Sequence, residues 1–442
     1  MSIQLSEHFD YKKILKFTCP SIIMMIFTSL YGIVDGIFVS NIAGSEAFAA
    51  INLIWPIIMI LGAVGFMVGT GGSALVSKTI GEGDRKKANE YFSLLVYFVI
   101  IVGFILTVLG IIFMRPIAKA VGAEGTLQDN CVIYGVVILV TLIPFMLQNC
   151  FQSFLVAAEK PHMGLIISIF AGVTNMVLDF VFIYVFHQGL FGAAVATSIS
   201  QVVGGIIPLV YFWRENDSLL RIGKTKFDAK ALLKTCTNGS SEMLSNISMS
   251  LVNVLYNIQL MKIVGSDGVV AYGIIMYISF SFVAAFLGYS IGSAPIISYH
   301  YGAKNTDELK NLFVKSLVLI VICAVSMTFL AEVLAKQLSG IFVSYSESLM
   351  DMTINAIRLY SISFLFAGFN IFGSAFFTAL NNGLVSAEIS FIRTILQAIA
   401  IFVLPIFLKL DGIWLAVVVS EFVAFLITTG LLIANSKKYK YM

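Results

Sequence analysis

Asn175 and Asp179 stand four residues apart in the apolar run Met163–Phe186. That spacing puts both side chains on one face of a helix. Asp35 lies in the apolar run Ile14–Ser40, and Thr197 in Phe191–Trp213. Taking about 1.5 Å per residue, Asp35, Asp179 and Thr197 lie roughly 8, 10 and 9 Å in from the same side of a membrane. Two carboxylates, an amide oxygen and a hydroxyl at one depth suit a hard monovalent cation such as Na+. Two neighbouring carboxyls equally suit a shared H+, because the second ionises reluctantly beside the first. The plainer alternative is hydrogen bonding between helices. Against it, no Lys or Arg stands at that depth to partner the acids.

A second group is a polar stripe, Asn246, Ser250, Asn253 and Asn257, at helical spacing in the run Met243–Val264. Glu242 stands at the start of that run. Ser363, Asn370 and Ser374 form a weaker counterpart. Such stripes either line a wet cavity or bond helices together. We assign Asn246, Asn253, Tyr256, Asn257, Glu242, Gln152 and Met176 to a central substrate cavity. Methionines such as Met24, Met25, Met59, Met146 and Met176 supply adaptable apolar wall. Pro20 and Pro144 are expected to bend or loosen their helices.

The elements that position these residues are membrane spans. The 442 residues are 59% hydrophobic and 12% charged, against about 25% charged in soluble domains. The apolar runs are long rather than alternating, which selects an all-α integral membrane protein. Twelve spans are expected: Ile14–Ser40, Ile51–Val76, Tyr91–Phe113, Val132–Val156, Met163–Phe186, Phe191–Trp213, Met243–Val264, Val269–Ser298, Leu312–Leu334, Ile354–Thr378, Ala387–Leu408 and Ile413–Ala434. Of 27 Lys and Arg, only Arg115, Lys119, Lys262, Lys336 and Lys409 fall in the segments opposite the termini. That bias places both termini in the cytoplasm. The first run is too long for a cleavable signal and is expected to be retained.

The chain repeats itself. Ile37–Phe92 aligns without a gap onto Ile258–Phe313, so Gly71, Ser77 and Gly81 meet Gly292, Ser298 and Gly302. Further on, Gly192, Ala196, Ser200 and Gln201 meet Gly412, Ala416, Ser420 and Glu421. Six spans return the chain to the same side, so the repeat is parallel. Two pseudo-symmetric six-helix bundles follow, residues 1–220 and 221–442, related by a twofold axis along the membrane normal. Five cysteines give no disulfide framework. No phosphate-binding loop, nucleophile motif or metal-ligand cluster occurs, so neither an enzyme nor a nucleotide-driven pump is expected. No cofactor is called for beyond H+ or Na+ as coupling ion, and no nucleic acid.

Pro20 with Asp35-Gly36, Gly44-Ser45-Glu46-Ala47, and Asn175 and Asp179 followed by Thr197 together resemble the multidrug and toxic compound extrusion (MATE) family. Gly265-Ser266-Asp267 and Asn246–Leu251 resemble its second half. The resemblance covers essentially the whole chain and is nearest to the bacterial MepA-like branch. It implies a monomeric multidrug efflux antiporter of the cell membrane. Such a protein exports cationic or amphiphilic small molecules in exchange for H+ or Na+. The family's cation site falls on Asp35, Asn175, Asp179 and Thr197. A lipid-linked precursor flippase of the same superfamily is the alternative. It would favour buried Arg or Lys, of which Arg393 is the main instance.

Overall fold

The computed structural model describes residues 3–39, 42, 45–343 and 346–442. Helices run α1 (Tyr11–Phe38), α2 (Ser45–Gly81), α3 (Arg85–Ala120), α4 (Gly125–Val140), α5 (Leu142–Ala157), α6 (Pro161–Asp179) and α7 (Gly189–Trp213). After them come α8 (Ala229–Ile263), α9 (Ser266–Gly302), α10 (Thr306–Val343), α11 (Glu347–Ser361), α12 (Phe364–Ala379) and α13 (Gly383–Tyr439). Aspartates start several of them on the terminal side. Asp10, Asp84 and Asp228 accept from the first free amides of α1, α3 and α8, satisfying groups that a helix leaves open.

The spans number twelve once the helix breaks are read physically. Length and hydropathy alone give ten, counting the bent pairs α4–α5 and α11–α12 as one span each. Helix α13 carries two spans, divided at Lys409, whose φ of 53° and ψ of −128° leave helical space. Helix α8 is long enough to cross but too polar to pass on hydropathy, because Asn238, Ser240, Ser241, Glu242, Ser245 and Asn246 fall in one stretch of it.

Pro144 accounts for the 56° bend between α4 and α5. It has no N–H for the Val140 carbonyl four residues back, and α4 ends at Val140. Pro20, by contrast, sits inside an α1 that continues through it. The run Met163–Phe186 is not one α-helix. α6 stops at Asp179 and continues as a π-helical turn, Phe180–Val185.

The two bundles, α1–α7 and α8–α13, meet in contacts that exchange under the repeat. Gly81 lies against the backbone of Tyr299, and Gly302 against that of Lys78. Gly71 lies against Gly239, and Gly292 against Thr18. Each pair maps onto the other when the two halves are swapped, which is the signature of a twofold contact. A Cβ on any of these glycines would strike the other bundle, so backbone meets backbone there.

All these close approaches sit toward the side that holds both termini. On the opposite side the packing loosens. A Cβ at Gly32 or Gly273 would meet nothing within 4 Å, and one at Gly36 only the Tyr277 hydroxyl at 3.9 Å. The linker between the bundles is not merely solvated. Arg85 donates to the Ser218 carbonyl at 2.8 Å, and the Arg221 amide to Asn89 at 2.6 Å, tying the linker to α3.

Candidate functional site

The site is built where three helices converge near the loosely packed side. Asp179 is the last α-helical residue of α6 and is fully buried. Asn175, one turn earlier, is 2% exposed and its amide donates to the Thr197 hydroxyl of α7 at 3.4 Å. Asp35 of α1 lies within the electrostatic reach of Asp179, so the two carboxyls act on one another. Both cannot easily be ionised at once.

An accounting of donors defines the site's chemistry. Both oxygens of Asp179, Oδ1 of Asp35 and Oδ1 of Asn175 are buried without a hydrogen-bond donor among the described residues. Buried acceptors normally have partners, and leaving one bare costs about 1–3 kcal/mol, more for a charged group. Four such oxygens together mark a place for something positive. No group of three or more His, Cys, Asp or Glu that could hold a metal exists among the described residues. The set is therefore poor for a tightly held divalent ion and suited to a proton or a monovalent cation. Tyr134 of α4, 3% exposed, lies within the electrostatic reach of both carboxylates, and Tyr31 within that of Asp35. Tyr31 does carry a signal in the sequence, standing four residues before Asp35 on the same helix face, whereas Tyr134 is an isolated aromatic in an apolar run.

The residues assigned to a substrate cavity divide. Tyr256 is a correction. It is fully buried and stacks on Tyr272 at 4.5 Å between centroids, inside the second bundle's core. Asn253 accepts from the Tyr272 hydroxyl at 2.7 Å, and Asn246 donates to the Glu242 carbonyl of its own helix at 2.8 Å. Both spend their polar groups within their bundle. Asn257 is exposed, Met176 half-buried and Gln152 buried. Glu242 is not at a helix start, because α8 begins thirteen residues earlier at Ala229. It is half-buried, and among the described residues no donor reaches its carboxylate.

The weaker stripe is wholly structural where its bonds are formed. Ser374 bonds Ser386 at 2.8 Å, and Asn370 donates to the Glu421 carboxylate at 2.7 Å. Glu421 also takes Arg393 at 2.6 Å. This buried pair was not legible, since 28 residues separate its members.

Twelve spans in two exchange-related bundles, with a buried carboxyl pair inside the first that lacks donors among the described residues, describe a membrane protein built from a duplicated transporter-like half. The MatE family model matches residues 20–181 and again 243–403, and the chain belongs to that family. It is 27% identical over 370 residues to Multidrug export protein MepA of Staphylococcus haemolyticus (strain JCSC1435), covering 81% of this chain and 80% of that one. It is likewise 27% identical over 373 residues to the MepA of Staphylococcus saprophyticus, with the same coverage. Among solved structures, MATE in complex with MaL6 aligns over 98% of both chains with a TM-score of 0.93 at 23% identity. The outward-facing conformation of a multidrug resistance MATE family transporter of the MOP superfamily aligns over 100% of this chain and 99% of that one, also at 0.93 and 23%. A MOP superfamily transporter from Pyrococcus furiosus, described as having a binding pocket of reverse polarity, aligns over 98% of both at 0.91 and 23%. At that identity the structures speak for the fold.

Proposed function

We propose that this protein exports cationic or amphiphilic small molecules, drugs among them, across the cell membrane in exchange for H+ or Na+. The observation that carries the proposal is the set of oxygens on Asp35, Asp179 and Asn175 without a donor among the described residues. A proton or Na+ taken there supplies the missing positive partner, and a state without it leaves two carboxylates opposed in a dry site. The two states therefore differ in free energy. That difference can drive a conformational change if each favours a different opening of the bundles. The names of the staphylococcal relatives support multidrug export as the direction and cargo class.

With both termini in the cytoplasm, the glycine contacts close the cytoplasmic side and the loose packing faces out. The bundles, residues 1–220 and 221–442, then rock against each other as a monomer surrounded by lipid, opening and closing that contact. Glu242 and Asn257 are the polar groups left for a cargo, with Gln152 and Met176 on the first bundle. The flippase alternative loses its best residue, because Arg393 is already held by Glu421.

The test is efflux of ethidium from proteoliposomes under an imposed pH gradient and then an imposed Na+ gradient. One of them is expected to drive efflux by the parent protein and not by Asp35→Asn at equal membrane abundance. Full efflux by Asp35→Asn would place coupling elsewhere.

A further inference from the structure

Residues 3–10, ahead of α1, are bound across the terminal side rather than trailing from it. Leu5 and Phe9 are both fully buried. The Leu5 amide donates to Glu159 Oε1 at 2.6 Å. Glu159 belongs to the first bundle, in the turn between α5 and α6, and holds a left-handed φ of 60°. Three residues on, the same segment is gripped by the second bundle. His8 Nδ1 meets Glu308 Oε2 at 2.5 Å, and the Phe9 amide donates to Glu308 Oε1 at 2.9 Å. Asn311 and Lys315 each donate to the Phe9 carbonyl at 2.9 Å.

The apolar contacts follow the same division. Leu5, Phe9, Ile14 and Phe17 belong to one core cluster with Tyr289, Ile296, Leu309 and Phe313 of the second bundle, and Val156 of α5 joins it from the first. Phe9 also sets its ring edge-on to His300 of α9, at 6.4 Å. The segment thus has many attachments to the second bundle and few to the first. It is covalently continuous with α1, which the repeat assigns to the first.

We propose that residues 3–10 form a latch that holds the terminal side of the two bundles together, with Glu159 as its catch. When the bundles part on that side, the segment stays with Glu308, Asn311 and Lys315, and the Leu5–Glu159 bond is the one that breaks. A hydrogen bond to a carboxylate contributes about 1.5–3 kcal/mol, so its loss shifts a closed-to-open ratio by roughly tenfold or more. The latch rests on the alternating-access reading above only for its role in transport. The closed contact it stabilises is the glycine interface already described.

The experiment places nitroxide labels at Lys86→Cys in the first bundle and Lys310→Cys in the second, both exposed on the terminal side. The five native cysteines are replaced first, and label separations are read in liposomes by double electron–electron resonance. Glu159→Ala, and separately a chain lacking residues 2–9, are each expected to raise the long-distance population about tenfold relative to the short one. Glu159→Gln keeps an oxygen for the Leu5 amide and should move the ratio less. Distance distributions for Glu159→Ala that superimpose on the parent overturn the latch, and this holds even if the truncated chain fails to fold. No drug or gradient is present, so absent ethidium efflux with a working latch counts against the transport reading alone.

Discussion

At the place where the first bundle carries Asp35, the second carries Tyr256, when the ungapped repeat is extended by two residues. Thr197 of the first bundle is matched by Val417 of the second, at the register that pairs Gly192 with Gly412. Asp35 lies near another acid, and its Oδ1 lacks a donor among the described residues. Tyr256 stacks on Tyr272, and its hydroxyl is buried without a hydrogen-bond partner among the described residues. The second bundle does contain a buried acid, Glu421, but it is clamped by Arg393 and Asn370. Its repeat partner, Gln201, accepts only a neutral bond from Thr141 at 2.8 Å. The same scaffold thus holds its acids in two ways. Where a resident cation satisfies the charge, the acid is spent on architecture. Where none does, the acids stand without a donor among the described residues, and the proposed function assigns them a mobile cation.

The sharpest break of that contrast is charge removal in the first bundle. Asp179→Asn, like Asp35→Asn, is expected to cut gradient-driven ethidium efflux by at least about a hundredfold while leaving thermal stability near the parent's, because it removes a bare buried charge. Efflux near the parental rate would make the carboxyl pair as structural as the one in the second bundle. Next comes the clamp. Glu421→Ala strands Arg393 and should lower stability by about 3–5 kcal/mol. Replacing both partners with Met should cost far less. Unfolding of the purified variants in detergent would measure both, and a double replacement as damaging as the single one would contradict the clamp reading.

A smaller effect is expected at Tyr256→Phe. Removing a hydroxyl that has no partner should change stability by under about 1 kcal/mol and leave efflux intact. A large transport defect there would restore Tyr256 to the substrate path. Smallest of all is Glu46→Gln, at the far end of α2. It is exposed, and its efflux should match the parent's within error.

The sequence made the spans legible because lipid demands long apolar runs, and the repeat legible because backbone contacts demand glycine at matched places. Pro144 betrayed its bend chemically. The 45° bend between α11 and α12 has no proline to announce it. The candidate cation-site residues could be grouped because helical rise converts sequence position into depth. Pairings across helices carried no such ruler. Asn253 with Tyr272, and Arg393 with Glu421, are chosen by packing that spacing does not encode. Tyr256 sits among the stripe residues in sequence, yet it falls about 90° round α8 from the stripe's centre, on the core-facing side.

The π-helical turn after Asp179 separates the carboxyl from the outer end of its span. Such a turn is how a helix absorbs one inserted residue without losing its ladder. Everything beyond Val185 is therefore rotated by about 100° from where an uninterrupted α-helix would set it, one residue's share of a 3.6-residue turn. Asp179 marks the junction, held by the α-helical side and untouched by the insertion. A chain with one residue deleted between Phe180 and Val185 would regain a continuous helix with the carboxyl still in place, but would present a different face of its outer end to α7. The position of the carboxyl and the direction in which the helix leaves it are thus set by separate parts of the span.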